Sequence, residues 1–470
     1  MRVGWILLFV LVGLALPLHG QEQAFPDAFV EEAEVEGLDA SEEADEFGFE
    51  ELEPEMDSVV PETSEPDTTT LLPNQRWTLQ HDVAYRPHQQ RTASNRLSLR
   101  LELEQLFGEH AFLRFDGKVA YNAVYDASIY TNRNYPDSVR EKFRRRRTWR
   151  EGYLQLSFGK ISLKLGQQVV VWGKSDASVV TDLVSPRDQT EGFSTPVDEA
   201  RLGQRMLVLD LYPAANQQLT LIANPDPQVN AYAPTGHEYA LAASSTLTLL
   251  PEQRPGFSGS DTEYGLRWGF TAGERDFSLL AADLVDNDFV LALEGTALRP
   301  KYRRFRMLGL GFNSGSGKFL WKGEAAVYSG KGFTTTDYST EPDGITERDV
   351  LAGALGFDYT SAENDQITLE ASNHHIRNWQ AALTNTRKNT GNLLLSWSRS
   401  FLSETLTPEY ALAWEPQDGD SLHQFQLRYD WSDALTFELG GFTVLAEKET
   451  TTFGRSKPLR QVQSQVRWVF

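Results

Sequence analysis

Between Arg96 and Glu104 the chain alternates strictly. Leu97, Leu99, Leu101 and Leu103 fall on one side, with Arg96, Ser98, Arg100, Glu102 and Glu104 on the other. A period of two is the signature of a strand. The pattern recurs. Leu113, Phe115, Val119 and Tyr121 alternate with Arg114, Asp116 and Lys118. Leu154, Leu156 and Phe158 alternate with Glu151, Tyr153, Gln155 and Ser157. The final stretch does the same, with Val462, Val466, Trp468 and Phe470 opposite Gln461, Gln463, Gln465 and Arg467. One face of these strands is too charged for a solid core. It suits a wall with lipid on one side and water on the other.

The punctuation between strands has a rhythm. Tight turns fall at Pro213–Asn216, Ala272–Arg275, Ser314–Gly317, Ser361–Asp365, Leu402–Glu404 and Ser432–Asp433, rich in the Gly, Asn, Asp and Ser that reversals require. Longer connections fall between them, at 86–94, 126–146, 173–200, 224–260, 286–302, 329–349, 374–389, 415–421 and 447–457. The alternation predicts an all-β fold, a transmembrane antiparallel β-barrel of about 16–18 strands with both termini on the short-turn side. Eighteen is the direct reading and sixteen the fallback, because the strands around 201–223 and 350–373 are weakly patterned. Such a count predicts a lumen wide enough for water. Trp77, Tyr85, Trp268, Trp321, Trp397, Trp414, Trp431 and Trp468 fall near strand ends or on outward positions, as an interfacial belt requires.

Two stretches carry family resemblances. The strand ending in Trp468 and Phe470 resembles the last strand of bacterial outer-membrane barrels. That resemblance implies a cell outer membrane location, contact with outer-membrane lipid and lipopolysaccharide, and assembly by the barrel-assembly machinery with these aromatics as the signal. The second stretch runs from Gly166 through Trp172, Gly173 and Asp176, then Asp182, Pro186, Arg187 and Asp188. It resembles porin-like outer-membrane families that carry a Trp-Gly followed by an Asp…Pro-x-Asp loop. The resemblance implies the class and leaves the cargo open. Read from the residues, Gly173 permits a sharp turn, Asp176 and Asp182 suit local backbone bonds, and Pro186 fixes the chain ahead of Arg187 and Asp188. The loop 173–200 is either a brace packed on the wall or a constriction folded into the pore. Strand parity places Trp172 inward with Lys164 and Gln168, and turns Gln167 to lipid unless a bulge intervenes.

The chain begins differently. Residues 1–20 hold Arg2, the apolar run Trp5–Leu16, Pro17 and Gly20, the layout of a cleavable signal peptide. Residues 21–75 form an acidic segment predicted to be a disordered periplasmic tail. Within it, 21–67 carry nineteen Asp or Glu and no Lys or Arg. That run accounts for most of the net charge of -22, so the strands themselves are close to neutral. Phe25, Phe29, Phe47, Phe49 and Leu52 punctuate the acids, leaving room for a docking motif toward a basic periplasmic partner of residues 21–67. The barrel is assigned to 76–470. The mean hydropathy of -0.42 is compatible with it, since only one face of each strand meets lipid. There is no Cys, which excludes disulfides and thiol catalysis.

The remaining chemistry is electrostatic. Arg100, Arg114, Lys118, Arg145, Arg147, Lys164 and Arg267 are expected in the lumen opposite Glu102, Asp116, Glu151, Glu263 and Glu324, where opposed charges would orient a dipolar solute. Arg145 and Arg147 share the predicted face of Glu151; Arg144, Arg146 and Arg150 are assigned to the outer rim, toward lipid phosphates. A second basic cluster is Arg299, Lys301, Arg303, Arg304 and Arg306. Enzyme signals are thin: His374-His375 stands without a Gly-x-Ser-x-Gly or metal spacing, and Asp283, Asp286, Asn287 and Asp288 match no ordered calcium loop. No cofactor is called for, no nucleotide motif is present, and an acidic exported chain is a poor nucleic-acid ligand. The sequence therefore predicts a passive, porin-like channel for small hydrophilic, including anionic, solutes. The alternative is a non-conducting outer-membrane scaffold that displays loops or docks an export complex through its acidic tail.

Overall fold

The computed structural model describes residues 73–470 except 177, 196 and 241–246, and omits the side chains of 197 and 198. The expected signal peptide and nearly all of the acidic tail lie outside the described residues. Eighteen antiparallel strands form one closed sheet. In chain order they are β1 Asn74–Arg86, β2 Arg91–Phe107, β3 Ala111–Asn122, β4 Arg145–Phe158, β5 Ile161–Gln168 and β6 Gln204–Ala214. Then come β7 Gln217–Asn224, β8 Glu263–Thr271, β9 Arg275–Val285, β10 Arg304–Ser316, β11 Phe319–Thr334 and β12 Ile345–Thr360. The last six are β13 Asp365–Ile376, β14 Asn389–Arg399, β15 Leu406–Glu415, β16 Asp420–Ser432, β17 Leu435–Leu445 and β18 Gln461–Val469. Each strand pairs with its sequence neighbours, and β1 closes on β18 with Leu79 opposite Trp468 and Tyr85 opposite Val462. Trp77 and Phe470 complete the seam by exchanging backbone hydrogen bonds of 3.0 and 2.9 Å. Closure leaves no sheet edge, which a bilayer would not tolerate.

The outward face is apolar. Leu97, Val119, Trp149, Leu308, Leu355, Leu439 and Trp468 are all exposed, while Ser98, Asp116, Gln204 and Glu370 on the opposite parity are buried. Short turns join β2 to β3, β4 to β5 and so on around one end; at the other end the connections are mostly long. Four of those are shorter than the sequence indicates, two of them, 377–388 and 416–419, by a few residues. β1 and β2 run to within four residues of each other, and β11 and β12 extend to Thr334 and from Ile345. The stretch 286–303 also holds a small hairpin, Val290–Glu294 with Ala297–Lys301.

The buried apolar core is inside the barrel. It gathers Trp172, Val180 and Val184 from the β5–β6 connection against Met206, Ile222, Leu280, Met307, Ala326, Tyr328 and Ala352 on the wall. Full burial of such side chains contributes roughly 1.5–3 kcal/mol each. That offsets much of the cost of ordering a long connection. This connection therefore belongs to the folded lumen, and it does not pack over the rim.

Candidate functional site: a segment that crosses the lumen

Segment 169–203 leaves β5 inward. Gly166, at φ +132°, has its Cα beside β4 so tightly that a side chain would meet the carbonyl of Gly152, and this kink redirects the strand. Trp172 then inserts against β8, where Gly265 provides the room: a Cβ there would come within 2.5 Å of the indole. Gln167 faces outward as parity predicts, and its amide donates to the carbonyl of Trp149, which removes the penalty of presenting it to lipid.

Glu324 on β11 is the main anchor. It accepts from the amides of Lys174, Ser175 and Thr181 and from the Thr181 hydroxyl, the last at 2.6 Å. Around it, Ser175 donates its hydroxyl to Glu370 of β13, and the Asp176 amide donates to the same carboxylate at 3.0 Å. Asp176 forms an ion pair with Lys322, which also reaches Asp358 at 3.0 Å. Tyr328 donates to the carbonyl of Val180, and the His374 ring meets the carbonyl of Val179 at 3.1 Å. Multiple donors on a buried carboxylate replace the water it loses, so the segment is clamped to this wall.

The same segment then reaches the other wall. Asp188 pairs with Arg146 of β4, and Glu191 pairs with Arg96 of β2 at 2.7 Å. Lys118 of β3 meets Glu199 at 2.9 Å. Phe193 packs edge-on to Phe442 of β17 and to Phe453. In an eighteen-strand ring β2 and β11 lie opposite, so the segment spans the lumen. Between the anchors, Asp182 accepts from the Trp172 amide, Arg187 and Arg201, each at 3.1 Å. Glu191 is buried, which favours its neutral form, yet Arg96 and Arg146 outweigh that and hold its carboxyl below the usual range.

A second infolded stretch, 228–240, completes the outer half. The Glu238 carboxylate is clasped by Arg86, Arg91 and Arg133. Arg86 also lies over the Tyr239 ring at 4.6 Å, and Tyr239 donates to Gln461 of β18 at 3.0 Å. His237 sits among Tyr125, Phe143 and Tyr239, and burial pushes its pKa down to about 4.

Of the residues singled out in the sequence, Trp172, Asp176, Asp182, Arg187 and Asp188 are brought together in the crossing segment. Arg187 turns to Asp182. Arg100 makes a bidentate pair with Asp116 at 2.8 and 2.7 Å and reaches Glu102 at 3.2 Å. Arg114 joins Glu104 and Glu151, each at 2.9 Å. The β2–β4 wall is thus a network of neutralised pairs. Glu263 stays at the top of β8, buried on Asn224 and the Val285 amide. Arg267 faces the lumen without an ion pair among the described residues, with Asp210 and Asp276 as its charged neighbours.

One assignment is reversed. Arg145 and Arg147 do not share the face of Glu151. Register against β3 slips between Asp116 and Gly117, so that Asp116 opposes Glu151 while Gly117 opposes Trp149. Arg150 is the extra residue of a β-bulge. Arg145 and Arg147 therefore point outward with Trp149, and Arg146 and Arg150 point inward. Adjacent His374 and His375 lie on opposite faces, the latter on Asn389 at 2.7 Å, so they form no common site. Asp286 pairs with Lys331 and Asp288 with Asn230 and Tyr232; no cluster of metal-ligating side chains occurs among the described residues. Reasoning from sequence missed Glu238 and its arginines and gave Glu324 and Glu370 no anchoring role. No local sequence signal marked them, because Glu324 and Glu238 meet partners 105 or more residues away in the chain.

A closed eighteen-strand barrel, apolar outside and crossed inside by an anchored segment, is the fold of the outer-membrane porins. The chain belongs to the family described as protein of unknown function (DUF1302), whose model matches residues 52–417. A search of curated proteins gives no match. Among solved structures it is similar to OccAB3 of Acinetobacter baumannii, with a TM-score of 0.51 and 11% identity over 85% of this chain and 99% of that one. OccAB2 of the same organism gives 0.50 and 11%, over 85% and 98%. These likenesses establish the fold. The protein has the closed β-barrel fold of these porins.

Proposed function

We propose that the protein is a porin-like channel through which small hydrophilic solutes pass passively across the outer membrane. The observation that carries this reading is the segment 169–203, held to β11 by Glu324 and to β2 by Arg96, inside a closed barrel. A wall that wide needs an internal element to select solutes, and an anchored segment with fixed charges supplies one. The lumen charges are mostly paired, so the path favours dipolar and weakly charged solutes; Arg267 and Lys164, which make no ion pair among the described residues, bias it toward anions. Reconstitution in planar bilayers tests the proposal: discrete single-channel steps are expected.

The competing reading, a closed scaffold barrel, draws on the second infolded stretch around Glu238, which adds material to the outer half. It predicts a correctly folded barrel without conductance. Phe470 and Trp468 remain the proposed signal for the assembly machinery, and 21–67 the proposed contact for a periplasmic partner.

A further inference from the structure

The bulge at Arg150 leaves a patch that the lumen does not use. We propose that the outward face of β4 binds phosphate groups of outer-leaflet lipid, through Arg145 and Arg147. Both side chains are exposed, and neither makes a hydrogen bond or ion pair with any described residue. Strand geometry puts them about 7 Å apart on one face. Below them on the same face, Trp149 is 53% exposed, and Val119 beside Arg147 on β3 is 50% exposed. An outward Trp marks the headgroup layer, so the two guanidinium groups stand at phosphate height.

Local carboxylates do not satisfy this charge. Asp126 is engaged at 2.6 Å by the hydroxyl of Tyr121, the cross-strand neighbour of Arg145, and also by Ser128 and Arg144, while Glu151 turns inward to Arg114. Elsewhere on the outer wall the pattern differs: Arg306 is outward too, but lies 3.7 Å from Asp283, and Arg205 lies 3.6 Å from Asp226. On β4, Arg145 and Arg147 are thus outward cations without an ion-pair partner among the described residues. In the headgroup layer such a partner is an anionic lipid phosphate, and guanidinium–phosphate pairing is among the stronger charge-assisted contacts. The inference rests on the outer-membrane reading and is independent of conduction.

Native mass spectrometry of the full-length protein in detergent tests it, with bis-phosphorylated lipid A as the probe. Wild type should retain lipid A and bind dephosphorylated lipid A about tenfold more weakly. R145E/R147E should lose a similar factor, and R145Q/R147Q a smaller one, with the barrel shown intact by heat-modifiable migration. Millimolar inorganic phosphate should leave lipid A bound. Equal binding by the folded R145E/R147E or R145Q/R147Q variant, indifference to the lipid phosphates, or displacement by inorganic phosphate would each overturn the proposal.

Discussion

Thr181 gives both its amide and its hydroxyl to one carboxylate oxygen of Glu324, at 3.0 and 2.6 Å. The relationship joins a residue of the crossing segment to the centre of the far wall. Replacing Glu324 by Ala strands those donors and the amides of Lys174 and Ser175, at roughly 1–3 kcal/mol for each buried group left unpaired. The barrel should still form, because the wall register does not depend on this carboxylate. E324A is expected to show larger and noisier single-channel currents than wild type. A trace indistinguishable from wild type would mean that the segment is held without Glu324.

His237 gives the outer half a pH dependence. Its pKa is lowered from about 6.5 to about 4 by burial, with Glu191 and Asp188 opposing that shift and Arg146 and Arg86 adding to it. The Tyr239 amide donates to Nδ1, so the ring is neutral with its proton on Nε2. A depressed folded pKa means the unfolded stretch binds the proton more tightly. The stability of the packed stretch is therefore complete above about pH 6.5 and falls as pH drops toward 4, by at most roughly 3 kcal/mol. Protease accessibility of the 228–240 stretch should rise over that interval, and H237F should flatten the rise. Equal accessibility at pH 7 and pH 4 would contradict this account.

The architecture was legible because it rests on a period of two and on turn chemistry, both local properties. The count of about sixteen to eighteen strands follows from turn rhythm and the inward Trp172 from parity, while the closing role of Trp468 and Phe470 rests on the resemblance of the last strand to those of outer-membrane barrels. The faces of Arg145 and Arg147 were not legible, since one bulged residue inverts parity and Arg150 leaves no compositional mark. The partners of Asp176, Asp182 and Asp188 were equally out of reach: Lys322 is 146 residues from Asp176, and only closure of the ring brings them together. Local bonding of the Asp residues was anticipated; the long-range ion pairs that fix the segment were not.

The seam predicts a sensitive terminus. Phe470 exchanges both backbone hydrogen bonds with Trp77, and its ring lies 4.9 Å from that of Trp468. Deleting Phe470, or making Phe470→Asp, removes an aromatic anchor from the closing pair. The amount of protein in the outer membrane should fall several-fold, as read by fractionation and immunoblot. Normal levels would deny the terminus a role in assembly.

The acidic stretch predicts the opposite. β1 begins at Asn74, and a segment with nineteen acids and no basic residue in 21–67 is expected to share no core with the wall. A protein lacking residues 21–70 should refold in detergent with unchanged β content by circular dichroism and unchanged heat-modifiability. Failure to refold would assign the stretch a structural role.

The central claim is that segment 169–203 narrows a water-filled lumen. Single-channel conductance in planar bilayers, compared between wild type and a variant lacking residues 177–190, tests it most directly. The deletion removes Thr181, Asp182, Arg187 and Asp188, so the shortened segment cannot hold Glu324 and Arg146 together. The account predicts discrete steps for wild type, and higher conductance with weaker charge selectivity for the folded deletion variant. Equal conductance in the two, or none in either, would contradict it.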